Sequence, residues 1–100
     1  MTIEPSLRNP VDVALKDAAA RTGVDASRLR VVLAESVTWP DGSVGCPEPG
    51  MAYSQALVDG YRIRIVAGDA TLEYHGSRRG QPFLCPAARI RRPSSMGPAR

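Results

Sequence analysis

The sequence predicts a two-layer α+β domain, with one N-terminal helix packed on a three- to four-stranded antiparallel sheet and a long irregular Pro/Gly-rich loop between strands. Three observations predict it. Apolar residues recur at helical spacing in residues 10–22 (PVDVALKDAAART). They alternate at strand spacing in residues 61–67 (YRIRIVA) and 70–75 (ATLEYH), on either side of Gly68-Asp69. Between helix and hairpin, residues 40–59 place Pro40, Pro47 and Pro49 among glycines, which forbids a helix at the start of that run and argues against a central strand. The chain has 100 residues, 43% of them hydrophobic and 23% charged, with no internal repeat, and this suits one globular domain at residues 10–85.

Taken in order, residues 1–9 read as a flexible lead-in. Asn9 is placed to cap the helix and Pro10 to occupy its first turn. Val11, Ala14, Leu15, Ala18 and Thr22 then fall on one face, and Gly23 stops the helix. Asp12 near its start and Arg21 near its end agree with the helix dipole. Residues 24–28 form a tight connection with Asp25 as its cap. The next stretch, 29–39 (LRVVLAESVTW), reads as a strand with Val31, Leu33, Val37 and Trp39 on one side. Glu35 falls on that same inward side, so a bulge near Ala34-Glu35-Ser36 is expected to turn it outward. Residues 51–58 have room for a turn of helix.

The hairpin is the firmest element. Its two-residue turn sets Ala67 against Ala70, Ile65 against Leu72 and Ile63 against Tyr74 on one face. The other face pairs Arg64 with Glu73 and Arg62 with His75, and is expected to meet water. Residues 76–81 form a basic loop, 82–85 (PFLC) a short edge strand, and 86–100 a basic tail expected to be disordered.

Charge is distributed unevenly. Residues 1–75 carry seven Lys/Arg and ten Asp/Glu, whereas 76–100 carry six arginines and no acid. Nucleic acid or an acidic surface is therefore a candidate partner through Arg78, Arg79, Arg89, Arg91 and Arg92, acting on phosphates without reading sequence. The hairpin tyrosines point inward, which leaves no aromatic platform for bases. No run approaches the ~18 apolar residues of a spanning helix, so no membrane insertion is expected. Residues 1–10 lack a signal-peptide pattern, which makes the cytoplasm the default location. A mature secreted form given a new initiator Met reads the same way.

Cys46 and Cys85 each precede a proline. Bonded, they would close a loop of 39 residues, with a stabilisation on the order of 4 kcal/mol in the loop-entropy picture. Reduced buried thiols are the alternative. Cys46, His75 and Cys85 lack the paired spacing of a zinc site, and no metal or other cofactor is expected. Cys46 with His75 is the only pairing for a thiol nucleophile, and Cys46 with Cys85 the only one for redox exchange, without the C-x-x-C spacing that tunes such thiols. No phosphate-cradling glycine loop is present.

The string from Val37 through Gln55 (VTWPDGSVGCPEPGMAYSQ) resembles the signature of a group of small bacterial proteins without assigned function, W-x-D-x-S-L-G-C-P-x-P-G-x-x-Y-x-Q. In that group a G-Y-x-I strand, a Y-x-Y-H strand and a closing L-C follow. Gly60-Tyr61-Arg62-Ile63, Glu73-Tyr74-His75 and Leu84-Cys85 are similar to these pieces, so the resemblance spans residues 24–85. Val44 stands where Leu is usual, and Leu72 where an aromatic is common. The resemblance implies a shared fold and brings no activity with it.

Two roles are open for the central loop. Tyr53 and Gln55 can fold back to cover the sheet edge. The tip formed by Pro47, Glu48, Pro49, Gly50 and Met51 can instead be a rigid contact surface, because fixed φ angles lower the entropic cost of docking. The reading that follows is a non-enzymatic protein-interaction module, inhibitor-like in its sharpest form. Nucleic-acid binding through the arginines is the alternative, and a thiol/redox protein using Cys46 and Cys85 comes third.

Overall fold

A computed structural model describes residues 3–93. It is an α+β domain in which one helix, α1 (Arg8–Thr22), packs on a four-stranded antiparallel sheet of β1 (Arg30–Trp39), β2 (Val58–Ala67), β3 (Ala70–Ser77) and β4 (Phe83–Cys85). The strands lie in chain order, so β1 and β4 are the edges. Among the described residues no other backbone pairs with the outer side of β1.

The helix begins two residues before the expected start and without help from Asn9. A 3-10 turn at Pro5–Leu7 runs directly into it, and no side chain caps its first turn. Part of the expected flexible lead-in is therefore built in, since Leu7 is buried and Ile3 packs against the core. Val11, Ala14 and Ala18 form the buried stripe, and the two alanines let the helix lie close over Ile63 and Ile65. Those two isoleucines are fully buried, each contributing roughly 1.5–3 kcal/mol. Gly23 ends the helix at φ 75, its N–H bonding the Ala19 carbonyl. Asp25 then caps the 3-10 turn Ala26–Arg28 by accepting from the Ser27 N–H.

The hairpin register is the expected one at all five pairs, from Ala67–Ala70 to Arg62–His75. Gly68, at the first central position of its turn, sits at φ 61. The irregularity in β1 lies elsewhere than expected, between Val31 and Leu33 rather than around Glu35. This shift has a large effect on the faces. Val31 and Ala34 oppose Ile65 and Ile63 and face the helix, whereas Leu33, Glu35, Val37 and Trp39 share the face of Arg64 and Arg62. Glu35 needs no bulge of its own, because it ion-pairs with Arg62 at 2.5 Å.

The second face, expected to meet water, does so only in part: Arg64 and Glu35 keep about two-fifths of their side chains exposed, while the end that carries Trp39 and His75 is covered. Trp39 and His75 are 0% exposed and Glu73 is 4% exposed, with Cys46, Cys85 and Ser43 buried beside them. They form a second, smaller core that the irregular loop covers. No helical turn forms in residues 51–57.

Candidate functional site

The loop that covers Trp39 is shaped by short-range chemistry. Asp41 accepts from both the N–H and the hydroxyl of Ser43 at 2.9 and 2.6 Å, and these bonds hold its carboxyl below the usual carboxylate range. Val44 and Gly45 follow at φ 47 and φ 76. The value at Val44 is a left-handed conformation that β-branched residues avoid. Something must hold it there, and the contact is a bond of 2.9 Å between His75 Nδ1 and the Val44 carbonyl. Gly45 is needed for space as well, since a Cβ there would lie 2.2 Å from the Trp39 ring.

Beneath the turn is a buried polar cluster. The Trp39 and His75 rings stack at 4.5 Å between centroids, and Trp39 Nε1 donates to the Gly76 carbonyl at 3.3 Å. Val44 O can only accept, which places a proton on His75 Nδ1. His75 Nε2 faces Glu73 Oε2 at 2.7 Å, and Arg64 holds Glu73 Oε1 from the rim at 2.8 Å. Burial pushes the Glu73 carboxyl up, but the bonds from His75 and Arg64 outweigh it and leave the group below its ordinary range.

Cys46 and Cys85 are joined in a disulfide, with Cα atoms 5.8 Å apart. This ties the loop to β4, and no cysteine among the described residues is free. Neither nitrogen of His75 points to sulfur, each having another partner. Among the described residues no three His, Cys, Asp or Glu side chains gather into a metal site.

Past the disulfide the chain runs through a donor-poor stretch, because Pro47 and Pro49 have no N–H. Its carbonyls are satisfied from the segment after β4. There a 3-10 turn, Ala87–Arg89, aims the Arg89 guanidinium at Pro47 O (3.0 Å) and Cys46 O (3.1 Å), with Glu48 within 3.8 Å. The Arg91 N–H bonds Gly45 O at 2.8 Å. The expected disordered tail is thus ordered and docked as far as Arg91. Residues 94–100, including Arg100, lie outside the described residues.

The expected tip is brought together as one feature. Glu48-Pro49-Gly50-Met51 makes a β-turn closed by Met51 N–H to Glu48 O at 3.2 Å, with Pro at its second position and Gly50 at φ 82 at its third. This is the type II pattern. Pro47 is half-buried; Glu48, Pro49, Gly50 and Met51 are exposed, Met51 by 58%. Tyr53 folds back as expected, though onto the tip rather than the sheet edge: its hydroxyl accepts from the Glu48 N–H at 3.0 Å. Gln55 is exposed, and it is Ser54 that ties the returning strand, through Gly42 N–H to Ser54 O at 2.8 Å.

The five arginines divide between places. Arg78 and Arg79 stand in the β3–β4 connection, on a cleft of about 620 Å³ beside the start of α1, with Arg78 3.9 Å from Asp59. Arg89 is spent on loop carbonyls, while Arg91 and Arg92 are exposed. Reasoning from sequence missed Arg89, His75 and Glu73 as the parts that hold the loop. The one signal for Arg89 was the shortage of donors around two prolines.

A family model described as a domain of unknown function (DUF8738) matches residues 11–85, from the first buried residue of α1 proper to the second cysteine. No curated protein and no solved structure matches the chain.

Proposed function

The chain belongs to the family described as a domain of unknown function (DUF8738), and from the geometry of its central loop we propose that it is a non-enzymatic protein-interaction module presenting the turn at residues 47–51. The observation that carries this reading is a combination of exposure with restraint. Four residues of the tip lie open to solvent, yet the disulfide, the Arg89 guanidinium and the Tyr53 hydroxyl each hold the backbone at its base. A surface fixed before contact loses little conformational freedom on binding. Packing alone would not require Pro49 and Met51 to stand outside the fold.

In the inhibitor-like form of this reading the tip enters a partner's cleft. The turn is a closed knuckle rather than an extended strand, so it would insert end-on, with Met51 as the apolar contact. The disulfide supports the exported of the two locations considered above, because such bonds persist in oxidising compartments.

The test places a photo-crosslinking amino acid at Met51 and, in a control, at Asp69 in the hairpin turn at the far end of β2. A partner joined through position 51 and not through 69, and bound more weakly by Met51→Ala when purified, is the expected result. Equal crosslinking from both positions removes the reading.

A further inference from the structure

We propose that His75 carries a proton on each ring nitrogen in the folded protein, and that this buried imidazolium is a pH-sensitive latch holding the covering loop on Trp39. The device acts at the base of the loop and is independent of whether the turn at residues 47–51 meets a partner.

A count of protons carries the inference. A neutral imidazole has one N–H and one lone pair. His75 is fully buried, and both of its nitrogens face acceptors: Nδ1 lies 2.9 Å from the Val44 carbonyl, and Nε2 lies 2.7 Å from Glu73 Oε2. With a single ring proton, one of these contacts would set two lone pairs against each other unless Glu73 held the second. Arg64 binds the other oxygen of Glu73 at 2.8 Å and favours its ionised form. The second proton therefore belongs to the ring. The remaining neighbours leave this balance in place. Arg62, across the ladder from His75, is paired with Glu35 of β1. Trp39 and Phe83 present uncharged rings, Asp41 of the covering turn is bonded to Ser43, and Arg89 is turned to the loop carbonyls.

As pH rises the ring gives one proton to solvent. The N–H it retains is the one on Nε2, because a bond to a carboxylate is stronger than one to a neutral carbonyl. Nδ1 then turns a lone pair toward Val44 O, and attraction becomes repulsion. Val44 sits at φ 47, which a β-branched residue leaves readily once its carbonyl is no longer held. The segment from Asp41 to Gly45 lifts from Trp39, while the disulfide and Arg89 keep the chain from Cys46 onward in place. A single histidine thus converts a proton into exposure of the tryptophan.

His75 is the one histidine of the chain, so nitrogen-15 spectra of histidine-labelled protein read it without ambiguity. The titration runs from about pH 5 to about pH 9, around the ordinary histidine range. Both nitrogens should carry protons at the acid end, and Nδ1 alone should lose its proton as pH rises. At the same midpoint the Trp39 indole signal should move. The hydrogen-exchange protection factor of the Cys46 N–H, which bonds Ser43 O at 3.0 Å, should fall about tenfold. Glu73→Gln removes the shared negative charge and sets an amide donor against Nε2. In that variant the neutral ring should keep its proton on Nδ1, and the loop should no longer respond to pH. One ring proton throughout the range, or retention of the Nδ1 proton in the wild type, overturns the proposal, and the wild-type spectra decide this even where the variant does not fold. Two ring protons throughout, or a titration that leaves Trp39 and Cys46 unmoved, uphold the charged ring and overturn the latch.

Discussion

Alanine at Gly45 should damage the protein far more than alanine at Gly50, although both glycines have left-handed backbones, at φ 76 and φ 82. Putting an L-residue at such an angle costs about 1–2 kcal/mol, and that part is common to the two. They differ in surroundings. A Cβ at Gly50 meets nothing within 4 Å, whereas at Gly45 it falls 2.2, 2.7 and 2.8 Å from three atoms of the Trp39 ring. Ordinary carbon contacts lie at roughly 3.5–4.0 Å, so the ring or the loop must shift by an ångström or more. The ring has little room to retreat. It is stacked on His75, bonded to Gly76 O, and so close over Gly60 that a Cβ there would lie 2.8 Å from Nε1. Overpacking of this kind costs about 1–3 kcal/mol. Gly45→Ala is thus expected to lose about 2–5 kcal/mol in total and Gly50→Ala about 1–2, against a typical domain stability of about 5–15 kcal/mol. Urea unfolding followed by the fluorescence of Trp39, the single tryptophan of the chain, reads both numbers. The emission of the folded state should shift to the red for the Gly45 variant alone. Equal losses for the two variants, with unchanged emission, would refute the packing of the loop on Trp39.

Replacing both Cys46 and Cys85 with alanine should lower stability by about 4 kcal/mol through the freedom returned to a 39-residue loop in the unfolded chain, measurable as a drop in urea midpoint that reducing agent no longer deepens. Glu73→Gln strands Arg64 and His75 and should cost about 3 kcal/mol at pH 7. Because the Glu73 carboxyl is lowered in the folded protein, its contribution is present above the unfolded value of 4.5 and fades as pH falls toward the folded one. The stability gap between wild type and Glu73→Gln should accordingly close on acidification; a gap constant with pH would show that Glu73 is not ionised in the fold. Tyr74 is raised from 10.0 by burial and by its bond to Asp17, so the stability it confers is complete below pH 10 and declines above it. Tyr74→Phe should lose about 1 kcal/mol at neutral pH and soften the alkaline decline seen by thermal melts.

The hairpin was legible because its information is local. A two-residue turn and a period-two pattern leave one register, and Ile63, Ile65, Leu72 and Tyr74 could not face anything but the helix. The second face was misread for the opposite reason. Arg62, Arg64, Glu73 and His75 look like a wetted row along the strands, yet the covering loop reaches only the end where Trp39 and His75 lie. That coverage is set by a bond across 39 residues, and by Arg89 reaching Pro47 across a similar span, neither of which has a local pattern. The displaced bulge had the same effect on a smaller scale. An alternation read straight through Val31, Leu33, Val37 and Trp39 put residues of two faces on one. The tip was visible because Glu48-Pro49-Gly50-Met51 is turn chemistry in its own right. Its bracing was not.

The outer side of β1 is ten residues long, rich in valine, and free of proline and lysine. Bare rims of that sort invite molecules to zip together into ribbons when the protein is concentrated. The extra residue at Val32, 42% exposed, kinks the rim and spoils a flush fit between neighbours. Deleting that one valine would straighten the border, and the irregularity that confused the pattern of faces then emerges as a guard against fibrous stacking.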